Sequence, residues 1–153
     1  MKIGIVGAGA MGGFYGAKLA RAGFDIHFLM RRDCAAVMAN GLSVKSAEGD
    51  FTVRAPCYES AEEIGRCDLV IVGLKTTDNA QFETLIEPVM DKSSLILTLQ
   101  NGMGNEEQLA AWRSFATIAL HPQWSIIRAT DRLRWRNFQV RRRSVRARSR
   151  RCL

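Results

Sequence analysis

A glycine-rich segment near the amino terminus has the composition and spacing of a phosphate-binding turn. Residues 7–12 fit the pattern GxGxxG and read Gly7, Ala8, Gly9, Ala10, Met11 and Gly12. The segment directly follows the apolar run KIGIV and precedes a run of helix-forming residues, so we predict that it joins a strand to a helix. In that setting the glycine backbone can approach a pyrophosphate, and the helix N-terminus supplies free N–H groups and a positive dipole end. We therefore predict that all six residues bind a dinucleotide.

Charged residues stand where the second strand is predicted to end. Arg31 follows Gly12 by nineteen residues, near the position where many dinucleotide-binding domains carry an acid for the ribose hydroxyls. An arginine can instead bind a 2′-phosphate bidentately and stack on adenine, with Arg32 assisting, and this favours NADPH. Asp33 as the ribose ligand would indicate NADH, and solvated surface charges are the third possibility. NADPH is the cofactor that we expect.

Strand and helix patterns alternate around these candidate residues. Apolar runs predict buried strands at 2–6, 25–30, 68–74 and 94–99, and allow one more at 116–120. Helices are predicted at 10–22, 34–39, 59–64, 79–90 and 105–112, with Asp33 as the cap of the second. Residues 42–46 and 51–54 predict a hairpin. The alternation predicts an α/β fold of the Rossmann type, built on a doubly wound parallel sheet.

Length and composition exclude several classes of protein. With 153 residues, of which 47% are hydrophobic and 24% charged, the chain is typical of a globular protein. No apolar run reaches the ~20 residues that span a membrane. The four cysteines have no CxxC spacing and no histidine close by, which argues against a metal site and a disulfide framework. We expect reduced thiols and a cytoplasmic location.

Positive charge is concentrated at the end of the chain. Residues 1–112 carry a net charge of −4, whereas residues 113–153 hold twelve arginines, no lysine and one acid, a net charge of +11. Such a tail could bind nucleic acid through phosphates and stacking, or an anionic membrane. No recognition motif and no amphipathic period accompany the charge. We therefore expect no specific nucleic-acid partner and no membrane partner.

Four segments of the first 112 residues resemble the ketopantoate reductase (2-dehydropantoate 2-reductase) family. In chain order they are MKIGIVGAGAMGGFYGAKLARAG, NGLSVKSAEGDF, DLVIVGLKTTDN and LTLQNGMGNEEQL. The last two are more specific than GxGxxG, because neighbouring Rossmann families share the turn without that pair. The resemblance implies an NADPH-dependent oxidoreductase that reduces ketopantoate, a small 2-keto acid, to pantoate in pantothenate synthesis.

The same resemblance carries over two candidate catalytic residues by position. Lys75 matches a lysine near the cofactor and the substrate, and Asn101 matches an asparagine near the nicotinamide and the ketone. Each is predicted just past the carboxyl end of a buried strand, where doubly wound sheets bind their ligands. An ammonium or an amide can donate to a carboxylate or a polarised ketone oxygen. A solvated lysine and a turn-forming Asn-Gly pair are the alternatives.

Beyond about residue 112 the chain departs from the family pattern. The resemblance implies a second, mostly helical domain with a general-acid lysine and a substrate-binding glutamate, and we expect neither in this chain. We divide the chain into a dinucleotide-binding domain at 1–115 and a basic tail at 116–153. The tail is expected to be disordered or non-native, as after a frameshift or truncation near 112–116. A cofactor-binding fragment without catalysis is therefore the alternative function, and the oligomeric state and the exact 2-keto acid stay open.

Overall fold

Short runs rich in Val, Ile and Leu form the strands, and most of them lie where the sequence predicts them. The structure, a computed structural model, describes residues 1–102, 104, 105, 108, 109, 117–120 and 126–129. Within these residues the strands are β1 (Lys2–Val6), β2 (Asp25–Leu29), β3 (Leu42–Val44), β4 (Phe51–Val53), β5 (Cys57–Tyr58), β6 (Leu69–Val72), β7 (Leu95–Thr98), β8 (Thr117–Leu120) and β9 (Ile126–Ala129). The strand at 116–120 is confirmed as β8, whereas β5 and β9 have no counterpart among the predicted strands.

Seven of these strands form one sheet in the order β5-β2-β1-β6-β7-β8-β9. Neighbours from β5 to β8 run parallel, and β9 pairs antiparallel with β8 at the edge. The order of the six parallel strands is the 3-2-1-4-5-6 order of dinucleotide-binding sheets. This order confirms the predicted Rossmann-type α/β fold. The remaining strands, β3 and β4, form the predicted antiparallel hairpin.

Helices connect the parallel strands and are shorter in one place than the sequence predicts. They are α1 (Ala10–Arg21), α2 (Cys34–Asn40), α3 (Ala61–Ile64) and α4 (Phe82–Ile86), with 3₁₀ turns at Thr76–Gln81 and Glu87–Val89. The single helix predicted at 79–90 is therefore wrong. The segment TTDNAQ is rich in side chains that compete for backbone hydrogen bonds, and Pro88 cannot donate one, so the α-helix is confined to Phe82–Ile86.

Both faces of the sheet are covered, as the doubly wound prediction requires. On one face Ile5 and Phe28 pack with side chains of α1 and α2, and on the other Val6 and Val72 pack with side chains of α3 and α4. The β3–β4 hairpin covers the outer side of α1 around the buried Ala17. The helices and the hairpin cover the faces of the sheet and leave the carboxyl ends of the parallel strands uncovered. We call this line of strand ends the carboxyl edge of the sheet.

Three predictions concern parts of the chain that the structure describes only partly. In the helix predicted at 105–112, Asn105, Gln108 and Leu109 have helical backbone, and the other residues lie outside the described ones. The predicted basic tail at 116–153 is not disordered throughout, because β8 and β9 lie within it and pair with the sheet. The rest of the tail lies outside the described residues, so its disorder there and the domain boundary stay predictions. Within the described ranges, no helix is long and apolar enough to cross a membrane.

Cys34, Cys57 and Cys67 are free thiols inside the core, with exposed fractions of 5%, 7% and 3%. Burial raises the pKa of Cys57 to about 12, with a further contribution from the neighbouring Cys34. Burial also raises the pKa of Cys67. Because the thiolate is the reactive form, we expect Cys57 and Cys67 to react slowly in the folded chain, and burial alone shields Cys34 from reagents.

We expect a Cys152→Ser variant to show no rapid reaction with Ellman's reagent at about pH 8. Cys152 is removed because it lies outside the described residues. In denaturant the same variant is expected to react at three thiols per chain. Stoichiometric labelling of the native variant within seconds would show that the core around β5 and α2 is open.

We expect Gly16→Ala to destabilise the fold. A Cβ at Gly16 would lie 2.5 Å from Cε1 of Phe28 and 3.0 Å from Cγ1 of Ile5. Overpacking of this kind costs ~1–3 kcal/mol, and the better helix propensity of alanine offsets only about 1 kcal/mol of it. Urea unfolding measures the loss. The matched control is Gly9→Ala, where the added Cβ meets no atom within 4 Å, and equal stability loss in both variants would contradict the packing argument.

Candidate functional site

The turn between β1 and α1 is pressed against the backbone that follows β6. Gly7 has φ of +90°, a conformation that L side chains rarely adopt. A Cβ on Gly7 would lie 2.6 Å from the backbone nitrogen of Leu74. A Cβ on Gly73 would lie 2.7 Å from the carbonyl oxygen of Gly7. The two connections therefore approach each other at backbone distance, and this side of the turn is closed.

Gly9 faces open space on the other side of the turn. A Cβ on Gly9 would meet no atom within 4 Å. Gly9 is also the N-cap residue of α1, where its carbonyl oxygen accepts the N–H of Gly13 at 2.7 Å, and it has no side chain to cap the helix. The first turn of α1 contains no acidic residue. The turn thus presents uncapped N–H groups and the positive end of a helix dipole to any anion that enters.

The other residues of the GxGxxG pattern divide between surface and interior. Ala10 and Met11 are exposed in the first turn of α1. Gly12 is buried, and a Cβ there would collide with the carbonyl oxygen of Gly7. Gly12 therefore serves the close packing of helix and turn, whereas Ala8 and Gly9 face the cavity described next.

A cavity of about 430 Å³ lies beside the turn. Its walls come from the turn itself, from the end of β2 and from the connections around β6. They comprise Gly7, Ala8, Gly9, Leu29, Met30, Arg31, Arg32, Asp33, Leu74 and Leu85. The cavity thus combines backbone groups, apolar side chains and three charged side chains, which suits a ligand with phosphates and an aromatic ring.

The charged wall of the cavity consists of the three residues that follow β2. Arg31, Arg32 and Asp33 are exposed and form no ion pair with another described residue. Asp33 occupies the N-cap position of α2, as predicted, but its side chain makes no capping hydrogen bond. Both guanidinium groups and the carboxylate are therefore available to a ligand, so the geometry leaves Arg31 and Asp33 as competing candidates.

Lys75 and Asn101 lie at the same edge of the sheet as the glycine turn. Lys75 is the third residue after β6, and Asn101 is the third residue after the neighbouring strand β7. Both side chains are exposed, and neither hydrogen bonds within the part of the chain that the structure describes. They do not line the 430 Å³ cavity, so the predicted site extends along the edge from that cavity toward β7.

The sequence prediction misses a group of amide side chains that joins the two connections after β6 and β7. Asn79 donates to Oδ1 of Asn105 at 3.0 Å and accepts from Nε2 of Gln100 at 2.7 Å. Asn105 is 2% exposed and donates to the carbonyl oxygen of Asn101 at 3.2 Å. The only signal in the sequence is an excess of Asn and Gln in these connections, which alone does not distinguish a network from solvated loops.

A metal ion has no ready site in the described ranges, where no three His, Cys, Asp or Glu side chains come together. Apart from the carboxylate of Asp33, the polar groups at this end of the sheet are the cations of Arg31, Arg32 and Lys75, backbone N–H groups and amide side chains. These are donors, and they suit phosphates, carboxylates and carbonyl oxygens.

Several known proteins are similar to this chain over most of its described length. The family model described as "Ketopantoate reductase PanE/ApbA" matches residues 3–121. A 2-dehydropantoate 2-reductase from Nostoc sp. is 44% identical over 110 residues, which cover 71% of this chain and 34% of that protein. A crystal structure of 2-dehydropantoate 2-reductase from Geobacter metallireducens GS-15 is 52% identical with a TM-score of 0.74, covering 78% of this chain and 40% of that one.

A further solved structure agrees with this assignment. A PanE/ApbA family ketopantoate reductase from Ralstonia eutropha JMP134 is 33% identical with a TM-score of 0.73, again covering 78% of this chain and 40% of its own. The chain thus spans between a third and a half of the length of these relatives. The family model covers well over half of this chain and includes the glycine turn, Lys75 and Asn101. The chain belongs to the PanE/ApbA ketopantoate reductase family.

Proposed function

We propose that this chain binds NADPH across the carboxyl edge of its sheet, with the glycine turn as the phosphate site. The observation that carries the proposal is the open side of Gly9, next to uncapped helix N–H groups and a cavity that two arginines line. A closed or side-chain-filled turn would leave no room for a pyrophosphate. At Gly9 a Cβ would occupy the space proposed for the pyrophosphate, and glycine has no Cβ.

Each part of the cofactor has a suitable group on this edge. The pyrophosphate is proposed to accept hydrogen bonds from backbone N–H groups at Ala8 to Met11. The 2′-phosphate is proposed to bind Arg31, with Arg32 beside it, because a guanidinium binds phosphate bidentately. The adenine ring would lie against the apolar wall that includes Leu74 and Leu85. The nicotinamide would extend toward β6 and β7.

Lys75 and Asn101 are proposed to act on the substrate at that end. NADPH, when bound, supplies a hydride to the carbonyl carbon of a 2-keto acid. The ammonium of Lys75 can pair with the substrate carboxylate, and the amide of Asn101 can donate to the ketone oxygen as negative charge develops there. Both residues would hold the acceptor carbon in position. The alkoxide left by hydride addition would take its proton from solvent, to which this end of the site is open.

The family indicates 2-dehydropantoate as the 2-keto acid and pantoate as the product. Because the chain spans 32–44% of the length of the curated relatives it matches, we propose cofactor binding as the function of these residues and reduction as the activity of the whole family protein. The cofactor site is therefore expected to be measurable by binding even where turnover is not.

Discrimination between the cofactors tests the role of Arg31. Charge-assisted hydrogen bonds contribute about 1.5–3 kcal/mol, so Arg31→Gln is expected to weaken NADPH binding about 10- to 100-fold. NADH binding should change less than about threefold, because NADH has no 2′-phosphate. Calorimetric titration of the chain with each cofactor measures both constants.

Asp33→Asn is the matched variant on the adjacent residue. It is expected to leave NADPH binding intact or slightly stronger, because a carboxylate repels the 2′-phosphate. If Asp33→Asn instead abolishes NADH binding, and Arg31→Gln leaves NADPH binding unchanged, Asp33 is the ribose ligand and the cofactor is NADH.

Gly9→Ala tests whether the pyrophosphate lies over the turn. The backbone of Gly9 has φ of −69°, which alanine adopts freely, and the added methyl group points into open space. We expect a stability loss of no more than about 1 kcal/mol, because alanine is a poorer N-cap than glycine. Binding of NADPH and NADH alike should weaken at least about tenfold, because overpacking costs ~1–3 kcal/mol. Unchanged affinity for both cofactors would place the pyrophosphate elsewhere.

A further inference from the structure

A continuous line of hydrogen bonds connects the end of β7 with the segment that follows β6. The hydroxyl of Thr98 donates to Oε1 of Gln100 at 3.1 Å, and Nε2 of Gln100 donates to Oδ1 of Asn79 at 2.7 Å. Nδ2 of Asn79 then donates to Oδ1 of Asn105 at 3.0 Å. Finally, Nδ2 of Asn105 donates to the carbonyl oxygens of Asn101, at 3.2 Å, and Gly102, at 3.5 Å. The line therefore ends on the backbone of a proposed substrate-positioning residue.

The direction of every bond in this line follows from its last acceptors. Backbone carbonyl oxygens can only accept, so the amide nitrogen of Asn105 must face Asn101 and Gly102. The oxygen of Asn105 must then accept from Asn79, and the oxygen of Asn79 must accept from Gln100. Asn79 also donates to Oε1 of Gln108 at 2.6 Å, so both its amide hydrogens are used. One arrangement alone satisfies the whole line.

The line is buried at both ends and resists rearrangement. Thr98 and Asn105 are each 2% exposed. A buried amide that loses its partner keeps the full desolvation penalty, whereas solvent can replace the partner of an exposed amide. Gln108 is exposed, so its bond to Asn79 is the replaceable branch. Asn105 is therefore the residue on which the geometry of the connection depends most.

The two connections tied by this line carry the two proposed substrate-positioning residues. Lys75 directly precedes the 3₁₀ turn that contains Asn79, and Asn101 supplies the carbonyl oxygen that Asn105 holds. Gly102 has φ of +110°, and a Cβ there would lie 3.6 Å from Cγ2 of Thr76. The two connections therefore lie close together as well as being hydrogen bonded. The backbone of Asn101 is fixed while its side chain remains exposed and free to meet a ligand.

We propose that Asn105 and Asn79 are positioning residues for the nicotinamide end of the site. They hold the backbone of Asn101 at a set distance from the Lys75 connection, and so align the amide of Asn101 with the nicotinamide and the acceptor carbonyl. The inference rests on the proposed function, because it assigns that end of the sheet edge to the nicotinamide. It predicts that loss of the line weakens recognition of the nicotinamide but not of the adenosine half.

Two ligands separate this role from a general loss of structure. NADPH spans the whole proposed site, whereas 2′-phospho-ADP-ribose lacks the nicotinamide and reaches only the glycine turn and Arg31. For Asn105→Ser in the full chain we expect about tenfold weaker NADPH binding and less than about twofold change for 2′-phospho-ADP-ribose. Serine is neutral, so the electrostatic field at the phosphates is unchanged. Gln108→Ala, which removes the exposed branch, is the matched control and should change neither constant.

A second variant and a second measurement keep the test decisive. If Asn105→Ser does not fold, Asn79→Ser breaks the same line at a half-buried position and carries the same expectation. Amide hydrogen exchange of the ligand-free variants should be faster in peptides covering residues 99–105 than in wild type. Equal weakening of both ligands, or unchanged NADPH binding with unchanged exchange, would overturn the positioning role. If the wild-type chain binds neither ligand but the amides of the variants still exchange faster, the proposed function is contradicted. The role of Asn105 and Asn79 in holding the backbone of Asn101 is then still supported.

Discussion

The close contact between the glycine turn and the backbone after β6 is the constraint on which the candidate site depends. It requires glycine at positions 7 and 73, because a Cβ at either one would lie within 3 Å of opposing backbone. With that side closed, the turn can open only toward the cavity, where Gly9 leaves room. The packing of one side of a loop thus creates the binding surface on the other.

The parallel sheet converts this local contact into an extended edge. Because β1, β6 and β7 are neighbours that run parallel, their following connections meet at one edge and bring the turn, Lys75 and Asn101 together. In the order of the strands β2, β1, β6 and β7, the charged residues after β2 come first, then the glycine turn, and then Lys75 and Asn101. This arrangement suits a long ligand whose two ends differ in chemistry.

The fold and the tight glycine turn between β1 and α1 could be predicted from the sequence because their signals are local. Runs such as KIGIV and DLVIV are short and rich in β-branched residues, which favours a buried strand, and GxGxxG between a strand and a helix has few structural alternatives. The GxGxxG pattern predicts that Gly7 lies close to other backbone, but it does not identify Leu74 as the residue that Gly7 approaches. Arg31 and Asp33 remained in competition for the same reason: their spacing places both at the end of β2.

Features that depend on distant partners escaped prediction. Strand β5 has two residues and exists because Cys57 pairs with Phe28 of β2, which no local pattern signals. The helix predicted at 79–90 is interrupted because Asn79 and its neighbours form a 3₁₀ turn whose amides bond across to Gln100 and Asn105. The buried amide line is likewise invisible in sequence, because polar residues in connections are usually solvated.

We propose that the open side of the glycine turn binds a dinucleotide with its 2′-phosphate end at Arg31. A crystal structure of the chain grown with NADPH would show where each part of the cofactor lies. We expect the pyrophosphate within hydrogen-bonding distance of the N–H groups that follow Gly9, the 2′-phosphate on the guanidinium of Arg31, and the nicotinamide beside Asn101. NADPH bound away from the turn, or with its adenosine end toward β7, would contradict the account.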